Sequence, residues 1–97
     1  MATYKAQFSG RDVHSFAELA GGMHIVGDPQ GDNNARAAYG AVALSAFIRH
    51  VGSDVPETEF ADLLADLMHL ADSMGIDFDS ALATAGRNHR EELRGEF

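Results

Sequence analysis

The sequence predicts an all-α fold, a small helical bundle of three main helices with a shorter N-terminal helix. Apolar residues recur at three- and four-residue steps in several segments of the chain, which is the period of a helix with one buried face. Residues that typically start or end helices separate these segments. With 97 residues, we expect one domain, in which residues 1–34 form an N-terminal segment and loop and residues 35–97 form the helical core.

Composition and charge limit the function classes. The chain has no cysteine, which excludes disulfides and thiolate chemistry. Its net charge is −8, and residues 50–86 contain no Lys or Arg. Direct nucleic-acid binding is disfavoured because phosphates require a basic patch. No apolar run is long enough to span a bilayer, so we expect a cytoplasmic protein without membrane contact.

The N-terminal third carries weaker signals. Alternation in Ala2–Phe8 suits a short extended segment. Asp12 can cap a first helix that runs to about Ala20, although the capping-box spacing of Ser15 and Glu18 would start it later. The turn-forming residues Gly27–Asn33 predict a plain loop, since they match neither a phosphate-binding loop nor a calcium-binding loop.

The central helix is predicted over Ala35–Val51, with Asn33 or Asn34 as its cap and Gly52 as its end. It is apolar over most of its circumference and rich in small residues, which lets a neighbouring helix approach closely. This pattern favours a helix at the centre of the bundle or one covered by a second subunit. A homodimer is therefore expected.

Two further helices follow. Pro56 suits the first turn of a helix that ends at Gly75, and Asp77 caps a last helix from Phe78 to about Arg94. The short joint predicts an antiparallel helix hairpin. In the helix that ends at Gly75, the expected buried face comprises Phe60, Leu63, Leu64, Leu67, Leu70, Ala71 and Met74. In the last helix, the expected inner stripe comprises Phe78, Ala81, Leu82, Ala85, His89 and Leu93, with His89 as a core histidine.

A polar stripe borders the expected buried face of the third helix. Glu59, Asp62, Asp66 and His69 follow one another at three- and four-residue steps and so share one side of the helix. Such a stripe can be a solvated face, a metal site or a protein contact surface. Glu59 and Asp62 are the first candidates for metal ligands, and Asp62, Asp66 and His69 form an alternative set. A contact surface would comprise Glu59, Asp62, Asp66 and Asp72.

The segment from Glu59 to Asn88 resembles the second half of the MazG-like all-α nucleoside triphosphate pyrophosphohydrolases. It shares an E-x-x-D helix, a long apolar run and a Gly75-Ile76-Asp77 turn before a last helix. The resemblance implies Mg²⁺ binding by Glu59 and Asp62. The chain departs from the family on the preceding helix, because Ala35–Val51 lacks the second acidic motif.

We therefore expect a non-catalytic protein without a cofactor. It would act through protein–protein contacts, as accessory or inhibitory factors of phages and mobile elements do, and a basic protein surface is the expected partner. No catalytic residue is assigned. The alternative is a Mg²⁺-dependent MazG-like pyrophosphohydrolase.

Overall fold

A computed structural model describes residues 13–53 and 55–95, and within these ranges all regular structure is helical. The helices are α1 (Val13–Leu19), α2 (Pro29–Val51), α3 (Pro56–Met74) and α4 (Phe78–Leu93), and a short 3₁₀ turn, Ala20–Gly22, follows α1. The predicted all-α class, with three main helices and a shorter N-terminal one, is confirmed. The extended segment Ala2–Phe8 and the cap Asp12 lie outside the described residues.

The predicted start of the central helix is wrong. α2 begins at Pro29 rather than Ala35, so most of the predicted Gly27–Asn33 loop belongs to its first turns. The N-cap is Asp28, whose carboxylate accepts a hydrogen bond from the Gly31 backbone N–H at 3.2 Å, and not Asn33 or Asn34. An aspartate followed by proline supplies both a side-chain cap and a residue suited to the first helical position.

Asp32 joins the preceding segment to α2. Its side chain is completely buried. One carboxylate oxygen accepts from the Val26 backbone N–H at 2.8 Å, and the other accepts from the Gly27 N–H at 2.9 Å. A buried carboxylate needs such hydrogen bonds, so this one side chain fixes how the chain enters α2.

The core lies between α1 and α2, with a contribution from α3. Val13, Ala41, Leu44 and Ile48 form the buried cluster, and Phe16, Ala17 and Leu63 pack around it. His14 Nδ1 and Ser45 Oγ lie 2.6 Å apart and form a further link between α1 and α2. Three of the small residues of α2, Ala35, Ala38 and Ala41, therefore serve packing within the chain, since they are buried there.

The predicted boundaries of α3 are confirmed. Pro56 occupies its first turn, and Gly75 ends it with a φ of 69°. Beyond this left-handed residue, the Ile76 N–H donates to the Ala71 carbonyl at 2.9 Å. This is the bond that a Schellman ending makes.

Asp77 caps α4 as predicted, accepting from the backbone N–H of Ser80 at 3.1 Å and from its hydroxyl at 3.0 Å. These two bonds, the backbone one first, hold the pKa of Asp77 below its ordinary value of 3.8. A carboxyl whose pKa is lowered by folding stabilises the fold above its unfolded pKa, and this contribution disappears as the pH falls through the folded pKa.

We therefore expect the stability of the chain to fall below about pH 4 partly through Asp77. Asp77→Asn keeps a capping side chain but has no proton to gain, so its unfolding midpoint in urea should fall less steeply over the same pH range. The control is Asp79→Asn, a change of equal charge on the same helix. Parallel curves for the wild type and Asp77→Asn would contradict the assignment.

The C-terminal end of α4 returns to the beginning of α2. Arg36 Nε lies 2.9 Å from Glu92 Oε2, and the Asn33 side-chain amide donates to the Glu92 backbone carbonyl at 2.9 Å. Gly95 lies so close to Pro29 that an added Cβ would come within 3.1 Å of the proline Cγ. α2 is thus contacted by α3 towards its C-terminal end and by α4 at its N-terminal end.

The predicted burial of α3 and α4 is largely wrong. Of the expected buried face of α3, Ala71 is buried and Leu63 half-buried, whereas the larger side chains are exposed. α4 has no buried residue, and His89 is exposed rather than in the core. The helical period of the apolar residues was predicted correctly, but the rest of the chain covers little of the face that these residues form. The exposed large apolar side chains of α3, α4 and their joint are Phe60, Leu64, Leu67, Met68, Leu70, Met74, Ile76, Leu82 and Leu93.

Candidate acidic cleft

An open cleft of about 360 Å³ lies where the C-terminal end of α2 meets the N-terminal half of α3. Three of the predicted site residues, Glu59, Asp62 and Asp66, line it on the α3 side. Among the described residues, none of the side chains that line the cleft is basic. The remaining lining residues are Phe47, Val51, Ser53 and Ala65. We refer to it below as the acidic cleft.

Glu59 is the unusual member of the acidic cleft. Only 6% of its surface is exposed, so of the three alternatives for the stripe the solvated face does not apply to Glu59. Within residues 13–53 and 55–95, its carboxylate has neither a hydrogen bond nor an ion pair, yet its oxygens are not fully enclosed. The carboxylate therefore reaches solvent through the cleft, where a cation that enters would find an unpaired negative charge beside apolar side chains.

The other candidate residues of α3 divide into two groups. Asp62 and Asp66 are exposed and line the acidic cleft beside Glu59. His69 and Asp72 are exposed on α3 but do not line it. Three of the four residues proposed as a contact surface therefore line one cleft. Of the alternative metal set, Asp62 and Asp66 line the cleft and His69 does not.

The acidic cleft offers few ligands for a metal ion. Across the described parts of the chain, no three His, Cys, Asp or Glu side chains are grouped so that they could hold a metal. α2 contributes Phe47 and Val51 to the cleft rather than carboxylates. Its one acidic residue, Asp32, has both oxygens occupied by backbone N–H groups. The pair Glu59 and Asp62 would leave most of a Mg²⁺ coordination shell to water.

Two features of this region were not found from the sequence. Ser53 and Phe47 line the cleft because α2 and α3 meet there, which periodicity within one helix does not reveal. The burial of Glu59 was missed because its sequence neighbours are polar or exposed. The signal that was present is its position, one turn before Leu63, which packs against the core.

Comparison of the chain with models of protein families, with curated proteins and with solved structures gives no match. Among the described residues, none of the helices combines the length and the hydropathy that crossing a bilayer requires.

Proposed function

We propose that this chain is a non-catalytic binding module whose acidic cleft receives a basic side chain of a partner protein. The observation that carries the proposal is the position of Glu59, a residue that is 6% exposed and lines the cleft, and whose carboxylate has no opposite charge beside it among the described residues. An arginine or lysine that enters the cleft would supply the missing opposite charge. The chain would act as an accessory or inhibitory factor, and its net charge of −8 suits a basic partner.

The chemistry favours a guanidinium or ammonium group over a metal. Arginine binds carboxylates through two parallel hydrogen bonds, and its stem can lie along apolar surface such as that of Phe47 and Val51. Asp62 and Asp66, which are exposed, would attract the partner and increase the association rate. Glu59, which is more withdrawn from water, would contribute more to retention.

The test is a titration of the protein with a short arginine-rich peptide, in which calorimetry measures the affinity. We expect Glu59→Gln, which preserves the shape of the side chain, to weaken binding by at least about tenfold, because breaking a desolvated charge pair costs more than about 1.4 kcal/mol. Asp79→Asn and Glu18→Gln remove the same charge from exposed positions outside the cleft. They should change the affinity by less than about threefold.

Each result has a defined meaning. Equal losses in all three variants would show that the peptide responds to net charge rather than to the cleft, and no binding by the wild type would overturn the proposal. The alternative, a MazG-like pyrophosphohydrolase, predicts release of pyrophosphate from nucleoside triphosphates with Mg²⁺. That activity would have to disappear in Glu59→Ala and Asp62→Ala.

A further inference from the structure

The two helices that line the acidic cleft give it two walls of different chemistry. The α3 wall carries the carboxylates of Glu59, Asp62 and Asp66, whereas the α2 wall consists of Phe47 and Val51. The side chains of the α2 wall have neither a charge nor a hydrogen-bond acceptor. A cation that fills the cleft therefore meets carboxylates on one side and apolar surface, including an aromatic ring, on the other.

Glu59 distinguishes this cleft from an ordinary acidic surface. The residue is 6% exposed and lines the cleft, and its carboxylate has neither a hydrogen bond nor an ion pair in the described parts of the chain. A cation has to enter the cleft and give up part of its own water in order to pair with it. Cations that differ in the cost of losing water should therefore differ in affinity.

We propose that the acidic cleft selects a guanidinium group over an ammonium group, and that the Phe47 ring determines this choice. The inference rests on the proposed function, since it specifies which basic side chain of the partner protein enters the cleft. That side chain is an arginine. The edge of its guanidinium pairs with Glu59, and one of its flat faces lies against Phe47.

A guanidinium group matches both walls because it is planar. All of its N–H donors lie in one plane, so one edge can donate two parallel hydrogen bonds to a carboxylate such as that of Glu59. Its faces carry no donor, and the group is more weakly hydrated than an ammonium and stacks on aromatic rings. A face can therefore lie against Phe47 without losing a hydrogen bond.

An ammonium group matches only the α3 wall. Its three donors point in different directions from one strongly hydrated nitrogen. When it pairs with Glu59, a donor turned towards the α2 wall finds no side-chain acceptor, and an unmade hydrogen bond is costly. Ser53 offers one hydroxyl acceptor in the cleft, but a guanidinium can use that hydroxyl equally well.

Two peptides of the same sequence, except that every arginine of one is a lysine in the other, compare the two cations by calorimetric titration. We expect the wild type to bind the arginine peptide at least about fivefold more tightly. In Phe47→Leu, which keeps an apolar side chain but removes the ring, this ratio should fall below about twofold. Phe47→Tyr keeps the ring and should retain the preference. Circular dichroism establishes that each variant is folded.

Val42→Leu is the control, because Val42 is an exposed residue of α2 that does not line the cleft. Its ratio should equal that of the wild type. Equal affinities of the wild type for the two peptides would overturn this inference and leave the proposed function standing. A preference that persists in Phe47→Leu would also overturn it, since the ring would then not be its source. If neither peptide binds the wild type, the proposed function and this inference fail together.

Discussion

Replacing Asp32 with alanine is expected to lower the free energy of unfolding by about 3 kcal/mol, because two hydrogen bonds to a charged acceptor would be lost at once. Both bonds fix the entry into α2, from the Val26 and Gly27 N–H groups. The loss would leave these two donors without their partner at a site from which water is partly excluded. Urea unfolding followed by circular dichroism, at one protein concentration throughout, gives the value.

Asp28→Ala is the matched control, because it removes an aspartate of the same helix start whose carboxylate accepts one exposed bond. The expected cost of losing such a cap is about 1 kcal/mol. If Asp32→Ala costs no more than Asp28→Ala, the buried carboxylate does not have the structural role assigned to it.

Truncating Ile48 to alanine is the second large effect that we expect, again about 3 kcal/mol. Ile48 is 3% exposed and belongs to a cluster with few large side chains, so little neighbouring material is available to fill the space that the truncation would leave. The measurement is the same urea titration, and the slope of the unfolding curve should stay unchanged if the denatured state is unaffected.

Val42→Ala provides the comparison within α2, since Val42 is 47% exposed and its truncation should change stability by no more than about 0.5 kcal/mol. Similar losses for the two variants would mean that the buried cluster is not the core of the chain. A loss at Val42 that depends on protein concentration would instead indicate that this part of α2 is covered by a partner.

The ends of α3 and α4 could be predicted from the sequence because local chemistry decides them. Pro56 has no N–H to lose at a helix start, Gly75 adopts the left-handed conformation, and Asp77 bonds a residue three positions ahead. Each signal acts within a few residues of chain. Such signals are independent of how the helices later pack.

The start of α2 was misjudged because two local signals compete there. Gly31, Asp32 and Asn33 are common in turns, whereas Asp28 and Pro29 are suited to start a helix. The burial of Asp32 against two N–H groups decides in favour of the helix. That burial depends on the bend of residues 23–28, which their sequence does not specify.

For the candidate site, local spacing predicted which side chains lie together, while their role as a site stays a prediction. Helical spacing placed Glu59, Asp62 and Asp66 on one side of α3, and they do share one cleft. Periodicity could not show that α2 closes over Glu59, nor that Leu67 and Met74 would stay uncovered. A repeat of apolar residues indicates that a face will be buried, but it does not identify the chain that buries it.

The attachment of α4 to the start of α2 also bears on the order of assembly. The bond between Asn33 and Glu92 spans 59 positions of sequence, whereas that between His14 and Ser45 spans 31. Closing the longer loop costs about 0.6 kcal/mol more for this near-doubling of length, and few contacts at the end of α4 offset the cost. The pairing of α1 with α2 should therefore precede the docking of α4, which makes the last helix the natural one to reorganise while the rest of the chain remains folded.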